Sequence, residues 1–177
     1  MRSRYKIYNN EGLFFITSTI VEWIPVFTSS KYFDIVINST KYCQENKGLK
    51  VYAYVILDNH FHMIVKHDSL SETMKSLKSY TAQKIVEQLQ DDRKIWLLNQ
   101  LEFYKLKHKK ESSHQVWQES FHPQEILTDE MLEQKIDYIH FNPVKRGLVT
   151  EPEHWRYSSA GFYYTGANGL IKIDNLS

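Results

Sequence analysis

The chain has 177 residues, 42% hydrophobic, 24% charged and 14% aromatic, with a formal net charge of +1. That length fits one domain with a real core, which excludes intrinsic disorder; the balanced charge excludes a supercharged nucleic-acid binder, so any contact with DNA or RNA must come from a local basic patch. Cys43 is the only cysteine, which excludes a disulfide framework and a cysteine metal cluster and reads as a reducing, cytoplasmic setting.

Leu13 to Ile20 is rich in β-branched and aromatic residues behind Gly12 and predicts a first strand. It is too short to span a membrane and too polar for a signal-peptide core, so no targeting segment and no membrane partner are expected. Lys31 to Glu45 has apolar residues near helical spacing, with Ser30 placed to cap it and Asn46-Lys47-Gly48 to stop it. Val51 to Leu57 is a continuous apolar run, as in an interior strand. The Asp58-Asn59 turn and Phe61 to Lys66 complete a hairpin.

Ser71 to Leu89 predicts a helix with Met74, Leu77, Thr81, Ile85 and Leu89 on one stripe, and Ser69 with Glu72 can form a capping box. Lys94 to Tyr104 predicts another, with Trp96, Leu97, Leu101 and Tyr104 inward. A basic loop from Lys105 to Lys110 follows, then a short strand from Gln115 to Phe121. Thr128 caps a helix from Asp129 to Phe141, whose acidic first turn suits the helix dipole, and Pro143 ends or kinks it. Pro143 to Leu148 adds one turn, stopped by Gly147. The segment from 150 to 177 reads as a tail packed on the body. The order implies a single α+β domain over 1–177: a mostly antiparallel sheet with helices on one face.

Three features carry chemistry. In His60-Phe61-His62, residues i and i+2 of a strand project from one face, so two imidazoles point together and form half of a divalent-metal site. Taken alone, such a pair is more often two strand histidines without a ligand. In Tyr138-Ile139-His140-Phe141-Asn142, positions i and i+4 share a helix face, placing a phenol beside an amide. Asn142 also reads as an N-cap before Pro143, and Tyr138, one of 12 tyrosines, as a core or rim residue. Basic residues lie near aromatics at Lys105, Lys107, Lys109 and Lys110, and at Lys145 and Arg146. They suit phosphates or simply a solvated loop. The other six histidines lack ligand-like spacing, and there is no glycine-rich phosphate loop.

Together these residues resemble the single-tyrosine HUH transposases, in particular the REP-associated tyrosine transposase group. The resemblance runs from about Phe14 to about Tyr163. It rests on three ordered motifs: Tyr54 to His62 (YVILDNHFH), Tyr138 to Leu148 (YIHFNPVKRGL) and Trp155-Arg156-Tyr157-Ser158-Ser159. It implies a ferredoxin-like antiparallel sheet with helices packed on it. It implies that His60, His62 and Asn142 hold Mg²⁺ or Mn²⁺ and that Tyr138 is the nucleophile. It also implies an enzyme that nicks and rejoins single-stranded DNA beside a hairpin through a 5′-phosphotyrosine, with Lys107, Lys109, Lys110, Lys145 and Arg146 against the DNA. Related insertion-sequence enzymes pair as dimers, so a homodimer is one open assembly.

Two departures matter. The region from Val86 to Ser113, short and arginine-rich in many family members, is long and mixed in charge here, a variable insertion with its lysines only at the end. It keeps a second reading open, a protein on the same fold that binds structured single-stranded nucleic acid without cutting. Tyr80 is a rival nucleophile, but its polar neighbour Gln83 sits at i+3, a poorer match than Asn142 to Tyr138.

Overall fold

A computed structural model describes residues 11–120 and 122–176. Four antiparallel strands, β1 (Leu13–Thr19), β2 (Lys50–Ile56), β3 (His60–Lys66) and β4 (Gln124–Ile126), lie in the order β2-β3-β1-β4. Helix α1 (Ser30–Lys47) connects β1 to β2, which flank β3. After β3 come α2 (Leu70–Asp91) and α3 (Ile95–Phe103); after β4 come α4 (Asp129–Lys145) and the short α5 (Ala160–Thr165). This is the α+β, ferredoxin-like arrangement expected. Among the described residues no helix is long and apolar enough to cross a membrane.

Strand alternation sorts the core into two clusters. Phe14, Ile16, Ile20, Tyr54, Ile56, Phe61, Met63 and Val65 pack on one side of the sheet against the apolar stripes of α1 and α2, including Met74, Leu77, Ile85 and Leu89. Phe15, Val55, Leu57 and Ile64 project to the other side and meet Ile139 of α4. A bulge between Val51 and Ala53 puts Tyr52 and Ala53 together on this second side. Each fully buried Ile or Leu contributes roughly 1.5–3 kcal/mol relative to exposure.

Helices therefore cover both faces, correcting the expectation of one. The pattern that hides this is β2, whose residues Val51 to Ile56 are all buried: a strand apolar on both sides needs a partner on both. Its open edge is covered as well. Tyr157 accepts from Ile56 N at 2.8 Å, Ser159 N donates to Tyr54 O at 2.9 Å, and Asp174 exchanges two bonds with Val51. The tail is anchored by Tyr157 stacked on Phe33, centroids 3.8 Å apart, and by Trp155 Nε1 donating to Ile56 O.

Other local expectations shift. Ser29, not Ser30, occupies the N-cap of α1. The Ser69–Glu72 box does not form, because Ser69 makes no side-chain cap bond and its N–H goes to His67 Nδ1 instead. In α3, Leu97, Leu98 and Leu101 turn inward while Trp96 and Tyr104 face solvent. In the expected strand from Gln115 to Phe121, only the bridge of Trp117 to Ile20 forms, and Phe121 lies outside the described residues. Thr128 Oγ1 does cap α4, accepting from Met131 N at 3.1 Å. That helix runs through Pro143 to Lys145, since a proline so near the end removes only one ladder bond. Asn142 is thus a buried helix residue and not a cap.

Candidate active site

The register of β3 on β1 builds the site. Thr17 faces His62 and Thr19 faces His60, so both imidazoles emerge on the α4 side of the sheet, with ring centroids 4.8 Å apart. Phe61, between them, goes into the opposite core. Both histidines are buried. Burial is the first cause that lowers their pKa values, His60 to about 4 with Arg146 adding to the effect, His62 to about 3 with His60 adding. Both are therefore neutral at pH 7 and carry a lone pair.

Which nitrogen carries it follows from the hydrogen bonds. His60 Nδ1 lies 2.6 Å from Asn59 Oδ1. The Asn59 amide nitrogen donates to Trp23 O, so its oxygen is the acceptor and His60 Nδ1 must carry the proton. His62 Nδ1 lies 2.8 Å from Thr17 Oγ1, and its Nε2 is buried with no partner. The threonine hydroxyl accepts from Nδ1–H in one tautomer and donates to a bare Nδ1 in the other; in the first, His62 like His60 leaves Nε2 unprotonated. That is the tautomer a metal-ligating histidine needs, fixed by a hydrogen bond at the other nitrogen.

Helix α4 brings the remaining groups on one stripe, at i, i+4 and i+8. Tyr138, 42% exposed, places its ring 5.1 Å from His62 and 5.9 Å from Phe15. One turn on is Asn142, buried. Another turn on, Arg146 pairs with Asp58 at 3.0 Å and reaches Asn59 Oδ1 at 3.4 Å, beside His60. Asn142 is bracketed between a residue touching His62 and one touching the flank of His60. Among the described residues no group of three or more His, Cys, Asp or Glu side chains gathers to hold a metal.

Several contributors carry no motif. Phe15 stacks on His62 at 5.3 Å, and Lys135 holds its ammonium 4.5 Å from the Phe15 ring centre. Thr17 meets His62 through the β1–β3 register, Trp23 packs on His60 from a 3-10 turn, and Asn59, from the motif itself, meets His60 Nδ1. Behind α4, His140 Nε2 lies 2.8 Å from Ser159 Oγ, tying the helix to the tail.

The basic residues divide. Lys107, Lys110 and Lys145 are exposed. Lys109 lies 3.5 Å from Glu119, and Arg146 is engaged with Asp58. Tyr80 is exposed on α2, which packs on the opposite side of the sheet from the histidine pair, so it is out of reach as a nucleophile in the same chain.

A family profile described as "Transposase IS200 like" matches residues 24–105, taking in His60 and His62 and stopping before α4. A protein of Haemophilus influenzae assigned as a REP-associated tyrosine transposase is 25% identical over 152 residues, covering 86% of this chain and 81% of that one. A solved REP-associated tyrosine transposase bound to a REP hairpin shares the fold, with TM-score 0.69, 18% identity, and coverage of 100% of this chain and 94% of its own. A transposase-like protein from Deinococcus radiodurans overlaps more loosely, at TM-score 0.45 and 16% identity over 78% of this chain and 95% of its own. The profile lies across the histidine strand and the relative runs along most of the chain, so the sequence is similar to the IS200-like and REP-associated tyrosine transposases over these spans.

Proposed function

We propose that this protein is a metal-dependent endonuclease and strand-transferase acting on single-stranded DNA beside a hairpin. The observation that carries the reading is the pair of buried imidazoles with both Nδ1 atoms engaged, His62 Nε2 buried without a partner, and the Tyr138 ring 5.1 Å from that of His62. The hairpin bound to the solved relative names the substrate class to try first.

His60, His62 and Asn142 would hold Mg²⁺ or Mn²⁺, of which imidazole favours the second. When bound there, the ion supplies charge neutralisation at a non-bridging phosphate oxygen. Tyr138 Oη attacks phosphorus as the P–O3′ bond breaks, giving a 5′-phosphotyrosyl link and a free 3′-hydroxyl. Return of that hydroxyl reverses the exchange, so resealing needs no ATP. Phe15, with the Lys135 ammonium above it, backs the His62 ring and holds a positive charge near the incoming phosphate. The exposed Lys107, Lys110 and Lys145 are placed to meet the strand away from the site, with Lys109 and Arg146 available if they release their carboxylates.

The test is incubation with labelled single-stranded hairpin DNA and Mn²⁺. A covalent adduct is expected from the wild type and the Tyr80→Phe variant and none from Tyr138→Phe. An undiminished adduct in Tyr138→Phe rejects the nucleophile. Hairpin binding that survives His60→Ala and chelation, with no nicking under any ion, establishes the non-cleaving binder instead.

A further inference from the structure

We infer that Trp23 is a nucleobase-stacking residue, holding a base of the single strand that enters the histidine site; this deepens the proposed function and rests on it. Trp23 is 57% exposed at the end of a 3-10 turn after β1, and its ring centre lies 5.4 Å from that of His60. It lies beside the imidazole farther from Tyr138 in the contact chain Trp23–His60–His62–Tyr138.

The backbone there is strained. Glu22 and Trp23 have φ of 51° and 56°, two consecutive non-glycine residues in the left-handed region. Such a pair persists only where its surroundings enforce it. The enforcement is visible: Val21 and Ile24 on either side are buried in the core, Trp23 N donates to Ile20 O at 3.0 Å, and Asn59 Nδ2 donates to Trp23 O at 3.0 Å. Burying Val21 and Ile24 explains a tight turn. It does not explain a tryptophan at its exposed position, where glycine or asparagine would relieve the strain. Asn59 ties the Trp23 backbone to the site, because the same amide fixes the His60 tautomer through its oxygen and the Trp23 carbonyl through its nitrogen.

A rigidly held, solvent-facing indole beside a phosphate-handling centre has the chemistry to take a base. Every base offers a π face, so such stacking tolerates sequence and adds to the phosphate contacts that the backbone makes. Here it would fix the nucleotide next to the phosphodiester presented to Tyr138.

The test uses the full chain at low salt with a fluorescein-labelled 12-nucleotide thymidine strand and an otherwise identical strand of abasic sites. Trp23→Ala is expected to weaken thymidine-strand binding roughly tenfold and to leave abasic-strand binding unchanged. Trp23→Phe restores most of the affinity. Quenching of tryptophan emission by the thymidine strand in the wild type disappears in Trp23→Phe, although Trp96, Trp117 and Trp155 remain. Equal affinity of wild type and Trp23→Ala for the thymidine strand overturns the inference, as does a loss of the same size on the abasic strand. If Trp23→Ala fails to fold, the quenching comparison with Trp23→Phe decides, and quenching that survives in that variant overturns the inference. The nuclease reading fails separately: Trp23-dependent binding without a hairpin adduct sinks cleavage and keeps the stack, whereas an adduct with Trp23-independent binding does the reverse.

Discussion

Thr17 and His62 face each other across the β1–β3 ladder, with the threonine hydroxyl 2.8 Å from Nδ1 of the imidazole. This pairing fixes the ring so that Nε2 points into the site. Thr17→Val keeps the strand and the shape but removes the partner. Mn²⁺ affinity, measured by titration with paramagnetic resonance detection, is expected to fall about 10–100-fold. Unchanged affinity would mean that this hydroxyl does not orient the ligand.

Asn59 serves three neighbours, His60 Nδ1, Trp23 O and Arg146. Asn59→Ala leaves the imidazole N–H and the Trp23 carbonyl without their bonds, and such losses at buried groups cost about 1–3 kcal/mol each. The urea midpoint should drop, and Mn²⁺ affinity should drop with it. A variant that loses metal while keeping full stability would show that the amide matters only to the site.

Ile139 is fully buried and carries the docking of α4 on the sheet, next to Tyr138. Ile139→Ala is expected to cost about 2–5 kcal/mol. Because the same contact sets the distance between Tyr138 and His62, hairpin adduct formation should slow even at temperatures where the variant is fully folded. Single-turnover rates under those conditions check this.

His140 is buried against Ser159 Oγ, and burial lowers its pKa to about 4. The unfolded chain takes up a proton near pH 6.5, the folded chain only near pH 4. Stability is therefore complete above about pH 6.5 and is lost as the pH falls between these values, by on the order of 3 kcal/mol for this group. His60 and His62 act in the same direction. Thermal midpoints from pH 7 to pH 4 should decline, and less steeply in His140→Gln.

The sequence made the local features plain. Phe61 between two histidines declared which side of β3 the imidazoles take, Thr128 marked the start of α4, and the four-residue spacing from Tyr138 to Asn142 put phenol and amide on one stripe. What escaped depends on partners distant in the chain. β4 is three residues long and exists only through pairing with β1. The second covered face shows only once α4 folds back over Val55 and Ile64. Thr17 and Trp23 carry no motif, because their work is defined by register and by a turn; Asn59 lies within the Tyr54–His62 motif, but its bonds to Trp23 and Arg146 join residues far apart in the chain. Trp96 looked like core by its letter, yet α3 meets the body through Leu97, Leu98 and Leu101.

The closure of β2 by residues 157–174 has a further consequence. An edge strand with free N–H and C=O groups is a template for a foreign strand, and here the chain's own end occupies it. A version cut after Thr150 would bare the apolar strand Val51 to Ile56 along that margin. It should lose solubility and assemble with itself, a fate readable by light scattering.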